Sequence, residues 1–126
     1  MEYLTIVCDI KKSRDIKNRE ELQYKIIDML KEVNKEYNEF IVSSFLITLG
    51  DEWQGLLKHP SPYETIIDFF NSKLGEVQFY CGIGIGDVSI HDFELTVNQL
   101  DGPSFHKARK ALSLAKDLNY SIVLIK

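Results

Sequence analysis

Only two cysteines, three prolines and one tryptophan occur in the 126 residues, and each scarcity removes a class of protein. Cys8 and Cys81 both lie in apolar runs without CxxC or Cys/His spacing, so a disulfide-built scaffold is excluded, no zinc site is suggested, and buried reduced thiols are expected. With so little proline and only seven glycines, collagen-like and Pro/Gly-rich disordered chains are excluded as well. An excess of positive charge is also missing: 15 Lys+Arg stand against 19 Asp+Glu, a formal net charge of -4. That balance argues against a protein whose main business is coating nucleic acid. No apolar run approaches the roughly 20 residues that a membrane-spanning helix needs. Met1-Glu2-Tyr3 leads straight into an alternating pattern, without the basic, apolar and cleavage regions of a signal peptide, so a cytoplasmic location is expected. What is present, 44% hydrophobic and 27% charged residues, is enough for one globular domain over residues 1–126 with a buried core.

Alternation of Leu4, Ile6 and Cys8 with Thr5, Val7 and Asp9 predicts a buried strand over residues 2–10 that ends on a carboxylate. After a polar connection from Lys11 to Asn18, the spacing of Leu22, Ile26, Ile27, Leu30, Val33 and Tyr37 predicts a long amphipathic helix stopping near Asn38. Phe40 to Leu49 and Trp53 to Leu57 read as two strands joined by the short turn Gly50-Asp51-Glu52. A second helix follows from Tyr63 to Leu74, with Gly75 in the expected C′ position, and then a glycine-rich strand from Val77 to Val88. Residues 89–101 show no clean period and are expected to be irregular or a short strand. Asp101-Gly102-Pro103-Ser104 opens a third helix whose Phe105, Ala108, Leu112 and Ala115 face the core, and Tyr120 to Ile125 forms a last strand. The order β-α-β-β-α-β with an added C-terminal helix and strand is an α+β, ferredoxin-like arrangement. Gly82 to Gly86 is no dinucleotide fingerprint, because a strand rather than a helix follows it; close backbone packing is its expected purpose.

In that topology the first and third strands are antiparallel neighbours, so Asp9 and Asp51 should meet at one edge of the sheet. Two carboxylates there repel unless a cation neutralises them, and a divalent metal is the simplest resolution. The candidate ligands are all oxygens (Asp9, Asp51, Glu52 and the carbonyl of Ile10), which favours Mg2+ or Mn2+ over zinc. Strand-end and turn aspartates also have ordinary roles in local hydrogen bonding. Glu52, leaving the turn on the face opposite to Asp51, is expected to be exposed to solvent. His59 and His91 stand alone in loops, and no Ser/His/Asp arrangement is readable.

Asp9-Ile10 at a strand end, Gly50-Asp51-Glu52-Trp53 in a hairpin and Gly82 to Val88 in a later strand resemble the landmarks of class III nucleotidyl cyclases and of GGDEF-type diguanylate cyclases. More closely, the strings DIKKSRDI, FLITLGDEWQGLL, FYCGIGIGDV and DGPSFHKARKAL are similar to those of the SatD family over nearly the whole chain. The resemblance implies a nucleotidyl-cyclase or palm-like fold. It implies metal ligation by Asp9 and Asp51, joined by the Ile10 carbonyl, with Glu52 at the fourth position of the GGDEF signature. Lys11, Lys12, Ser13 and Arg14 match the phosphate-cradling segment. His106 and Lys110, four residues apart on the third helix, fall where the cyclases present an asparagine and an arginine to ribose and triphosphate. There Lys110 offers a point charge instead of a bidentate fork. Leu49 replaces the first glycine of the GGDEF signature, and no pair of residues that would read a purine base is identifiable.

The expected function is therefore Mg-dependent binding of a nucleoside triphosphate, extending to nucleotidyl transfer or cyclisation with Asp9, Asp51 and Lys110 as catalytic residues. The cyclases' need for two facing protomers brings in a homodimer. The alternative is a non-catalytic regulatory or protein-interaction module that keeps the fold, a reading motivated by the altered His106 and Lys110. Nucleic acid is the least favoured partner, because aromatic residues are not interleaved with basic ones on the predicted strands.

Overall fold

A computed structural model describes all residues from Met1 to Lys126. Nine elements follow one another: β1 (Tyr3–Ile10), a single 3-10 turn (Ser13–Asp15), α1 (Arg19–Glu36), β2 (Ile41–Leu49), β3 (Glu52–Lys58), α2 (Tyr63–Leu74), β4 (Phe79–Gly86), α3 (Pro103–Leu118) and β5 (Ile122–Ile125). The strands form one sheet in the order β2-β3-β1-β4-β5. β1 runs antiparallel to both β3 and β4, while β5 lies parallel to β4 after the α3 crossover. The ferredoxin-like expectation therefore holds, with α3 and β5 as the added pair.

Strand alternation sorts the residues of β1 between two layers. Leu4, Ile6, Cys8 and Ile10 enter the larger core with Leu22, Ile26 and Val33 of α1 and Ile66, Phe70 and Leu74 of α2. Trp53, Phe70 and Phe79 meet there with ring centroids 5.5 to 6.3 Å apart. Tyr3 and Val7 face the other side, where Phe105, Ala108 and Leu112 of α3 cover them. Asp9, next in that alternation, emerges at the end of the α3 side.

Gly82 and Gly84 explain how α3 lies so flat on the sheet. A Cβ at Gly82 would collide with the backbone of Ala108 and Leu112, and one at Gly84 with that of Ser104 and Ala108. Ser104 fixes the contact from the other side, its hydroxyl lying 2.7 Å from that of Thr5 and donating to the Gly84 carbonyl at 2.9 Å. Residues 87–102 are irregular, yet Val88, Val97 and Leu100 are buried in the small core on the α3 side. Side chains of distant strands hold the segment: Ser43 donates to the Leu95 carbonyl and Gln54 to the Val97 carbonyl. The glycine-rich strand is shorter than its sequence pattern suggests, because Asp87 turns the chain by accepting the Val88 amide.

Candidate functional site

β1 delivers Asp9 to the sheet end where the β2–β3 turn closes. Its register partner on β3 is Glu52, not Asp51. Opposed residues on neighbouring strands share a face, so Asp9 and Glu52 are side by side on the α3 face. This corrects the expectation of a solvent-exposed Glu52: its side chain is only 13% exposed. Asp51 meets β1 through the main chain, its carbonyl accepting the Ile10 amide at 3.3 Å.

Each of the three carboxylates has a basic partner within the chain. Lys116 of α3 pairs with Oδ2 of Asp9. Arg109, two turns earlier on the same flank of α3, places Nη1 2.7 Å from Oε2 of Glu52, an oxygen that also accepts the Thr48 hydroxyl. Arg19, at the start of α1, donates to Oδ2 of Asp51 at 2.7 Å and to the Ser13 carbonyl at 2.6 Å. The ion pairs thus draw Asp9 and Glu52 towards α3 and Asp51 towards α1, and the like-charge repulsion is relieved without an ion. Sequence reasoning missed all three cations. The available signal was the seven-residue spacing of Arg109 and Lys116 beside the apolar positions Phe105 and Leu112, which puts them on the edge of the buried face.

His106 and Lys110 lie on the opposite side of α3. Both are exposed, and His106 bonds Asp101 at 2.8 Å. The structure does not bring them to the carboxylates, because the residues that pack α3 on the sheet (Ala108, Ala111, Leu112 and Ala115) occupy the other half of the helix.

The segment after β1 lies next to the carboxylates. Lys12 sits in the left-handed region at φ 51°, where the chain turns into Ser13–Asp15. Lys11 donates its amide to the Gln78 carbonyl at 2.8 Å, and its ammonium stands 4.7 Å from the Tyr80 ring centroid. Arg14 is exposed. The N-terminus of α1 is closed by its own cap, Asn18 accepting the Glu21 amide, with Glu20 and Glu21 in the first turn. The basic groups that Lys11 to Arg14 bring to this end of the sheet are therefore the side chains of Lys11, Lys12 and Arg14, and the α1 N-terminus is already capped.

Only oxygen donors are present, and in each carboxylate one oxygen carries the ion pair while the other makes no bond within the chain. No three His, Cys, Asp or Glu side chains converge as a metal cage. Such a set fits magnesium or manganese arriving with phosphate oxygens, an ion commonly held by one or two carboxylates together with its substrate.

With the geometry in hand, comparison with known proteins places the chain. The family model of SatD matches residues 3–123. The chain belongs to the SatD family. No curated protein matches it. Among solved structures it is similar to a microbial GGDEF domain described with bis-(3,5)-cyclic di-GMP, at 17% identity and TM-score 0.59, over 98% of this chain and 79% of that one. The guanylate cyclase domain of RhGC from Catenaria anguillulae, in complex with GTP, is similar at 16% identity and TM-score 0.57, over 89% of this chain and 72% of that one. The non-canonical dimeric guanylyl cyclase domain of a RhoGC fusion protein from Blastocladiella emersonii is similar at 16% identity and TM-score 0.57, over 89% and 73%. At these identities the likeness is one of fold: this SatD protein has the palm-like architecture of the cyclase and GGDEF domains. No helix is long and apolar enough to cross a membrane.

Proposed function

We propose that this SatD protein binds a nucleoside triphosphate together with Mg2+ or Mn2+ at the C-terminal end of β1. The observation that carries the reading is the gathering of Asp9, Glu52 and Asp51 beside the basic segment Lys11 to Arg14 at one end of the sheet. The similar domains described with GTP and with a cyclic dinucleotide support it. In the free protein the carboxylates are held by Lys116, Arg109 and Arg19. The free oxygens of Asp9 and Glu52 would hold the metal, joined by the Ile10 carbonyl and by Asp51 once it leaves Arg19, while Lys11, Lys12, Ser13 and Arg14 would hold phosphate oxygens. The metal supplies charge neutralisation at the phosphates and lowers the pKa of a bound hydroxyl, the requirement of nucleotidyl transfer.

If the protein turns nucleotide over, the cation that reaches the departing phosphates is Arg14 or Lys116 rather than Lys110, which faces away from the carboxylates. The facing-pair arrangement of the cyclases makes a homodimer part of the catalytic reading. A cytoplasmic location accompanies it, since nucleotide, magnesium and two free thiols belong to that compartment.

A second reading, a regulatory or interaction module without turnover, is favoured by the internal ion pairs and by the solvent-facing His106 and Lys110. Calorimetric titration with ATP and GTP, with and without magnesium, tests the first reading. Magnesium-dependent binding that is lost in Asp9→Asn or Asp51→Asn supports it, and unchanged binding in both variants removes it. Product formation from any nucleoside triphosphate by purified protein eliminates the second.

A further inference from the structure

We propose that the cleft between the β1–α1 segment and the C-terminal end of α3 seats the base of the bound nucleotide, with Tyr80 as the stacking surface and Gln78 and Asn119 reading the base edge. The inference rests on the nucleotide-binding reading above and names the subsite that the sequence left without candidates.

The cleft measures about 420 Å3, within the range of small-molecule sites, and Lys11, Lys12, Gln78, Tyr80 and Asn119 line it. Tyr80 is the register partner of Asp9 on the neighbouring strand, so its ring lies on the α3 face directly beside that carboxylate. A ligand stacked on Tyr80 has its phosphates within reach of Lys11, Lys12 and Asp9. The Lys11 ammonium stands over the ring, and both side chains line the cleft, so the covered π face is on the cleft side. Transfer of Lys11 to a phosphate would free that face for a base.

The polar groups around the ring suit recognition of a base edge. Tyr80 donates its hydroxyl to Oδ1 of Asn119 at 3.1 Å, leaving the Asn119 amino group free to donate to a ligand. Asn119 is held in place by its left-handed backbone (φ 55°) and by its amide bonding back to the end of α3. Gln78 uses only its main-chain carbonyl, towards Lys11, and its exposed carboxamide has no partner within the chain. A carboxamide offers both a donor and an acceptor, the pattern needed to tell one purine edge from another. Asp15 and Glu76 also line the cleft, and with Lys11 and Lys12 turned to the phosphates their negative charge disfavours a further phosphate there and leaves the space to a neutral group.

The test compares Mg-ATP, Mg-GTP and Mg-tripolyphosphate by calorimetry on wild type, Tyr80→Leu, Tyr80→Phe and Gln78→Ala, with circular dichroism confirming folding. Loss of one stacking surface predicts nucleotide binding weakened about tenfold or more in Tyr80→Leu. Tripolyphosphate binding is expected to be unchanged in that variant, Tyr80→Phe to retain nucleotide affinity, and Gln78→Ala to change the ratio of ATP to GTP affinity. Wild-type nucleotide affinity in a folded Tyr80→Leu protein overturns the proposal. So does a wild-type protein that binds tripolyphosphate as tightly as nucleotide, although the phosphate site then stands. Binding of neither overturns both readings together.

Discussion

The division of labour within each carboxylate, one oxygen on a cation and one free, decides what single substitutions do at this sheet end. If Asp9 holds a metal as proposed, the neighbouring Lys116 charge opposes it, so Lys116→Met is expected to bind Mn2+ about three- to tenfold more tightly than wild type, the range of a partly exposed ion pair. Titration of Mn2+ followed by electron paramagnetic resonance measures it, and an unchanged or weaker affinity contradicts the competition. Stability should hardly respond: the Lys116 side chain is 42% exposed, and loss of such a pair costs at most about 1 kcal/mol. Cys8 and Cys81 behave differently because they are register partners inside the larger core. Burial pushes the Cys8 thiol well above its ordinary range, with the neighbouring Cys81 adding to the shift. Native protein is therefore expected to resist Ellman's reagent at pH 8 and to release two thiols on unfolding in urea. Rapid reaction of the native protein would contradict the burial.

At the scale of elements, α3 is the part on which the site depends, because it brings Arg109, Lys116 and Asn119 to the end of β1. Its close approach to β4 makes Gly84 the sensitive position: Gly84→Ala forces the helix off the sheet and is expected to lower stability by about 3 kcal/mol in urea unfolding. The approach to α3 also carries a pH dependence. Asp87 is held below its usual pKa chiefly by the Val88 amide, and Asp101 chiefly by the Gly102 amide, with His91 and His106 assisting. A carboxylate depressed in the folded state contributes stability above its unfolded pKa of about 3.9, and loses it as pH falls through the folded value. The melting temperature should therefore hold down to about pH 5 and drop below about pH 4, with a shallower acid limb in Asp101→Asn. An acid limb identical to wild type in that variant would dismiss Asp101 as a contributor. The elements themselves were legible because their signals are local: alternation for β1, apolar spacing for α1 and α2, and Pro103 beside Ser104 for the start of α3. Residues 89–101 were not, since Ser43 and Gln54, roughly fifty positions away, hold them.

For the whole molecule, strand order placed Asp9 and the β2–β3 turn at one end of the sheet, and that much could be read from the sequence of elements. Which carboxylate shares a face with Asp9 depended on the register at the turn, where Glu52 rather than Asp51 opposes it. The cations that neutralise the site come from Arg19, Arg109 and Lys116, and the last two are about a hundred residues from Asp9; their spacing puts them at the edge of the buried face of α3, but no local pattern says which carboxylates they meet. The most direct measurement is calorimetric titration of wild type and Asp9→Asn with ATP and GTP in magnesium and in EDTA. The account predicts binding in wild type only with magnesium and its loss in Asp9→Asn despite near-native stability. Equal binding by both proteins, or none by wild type, would contradict it.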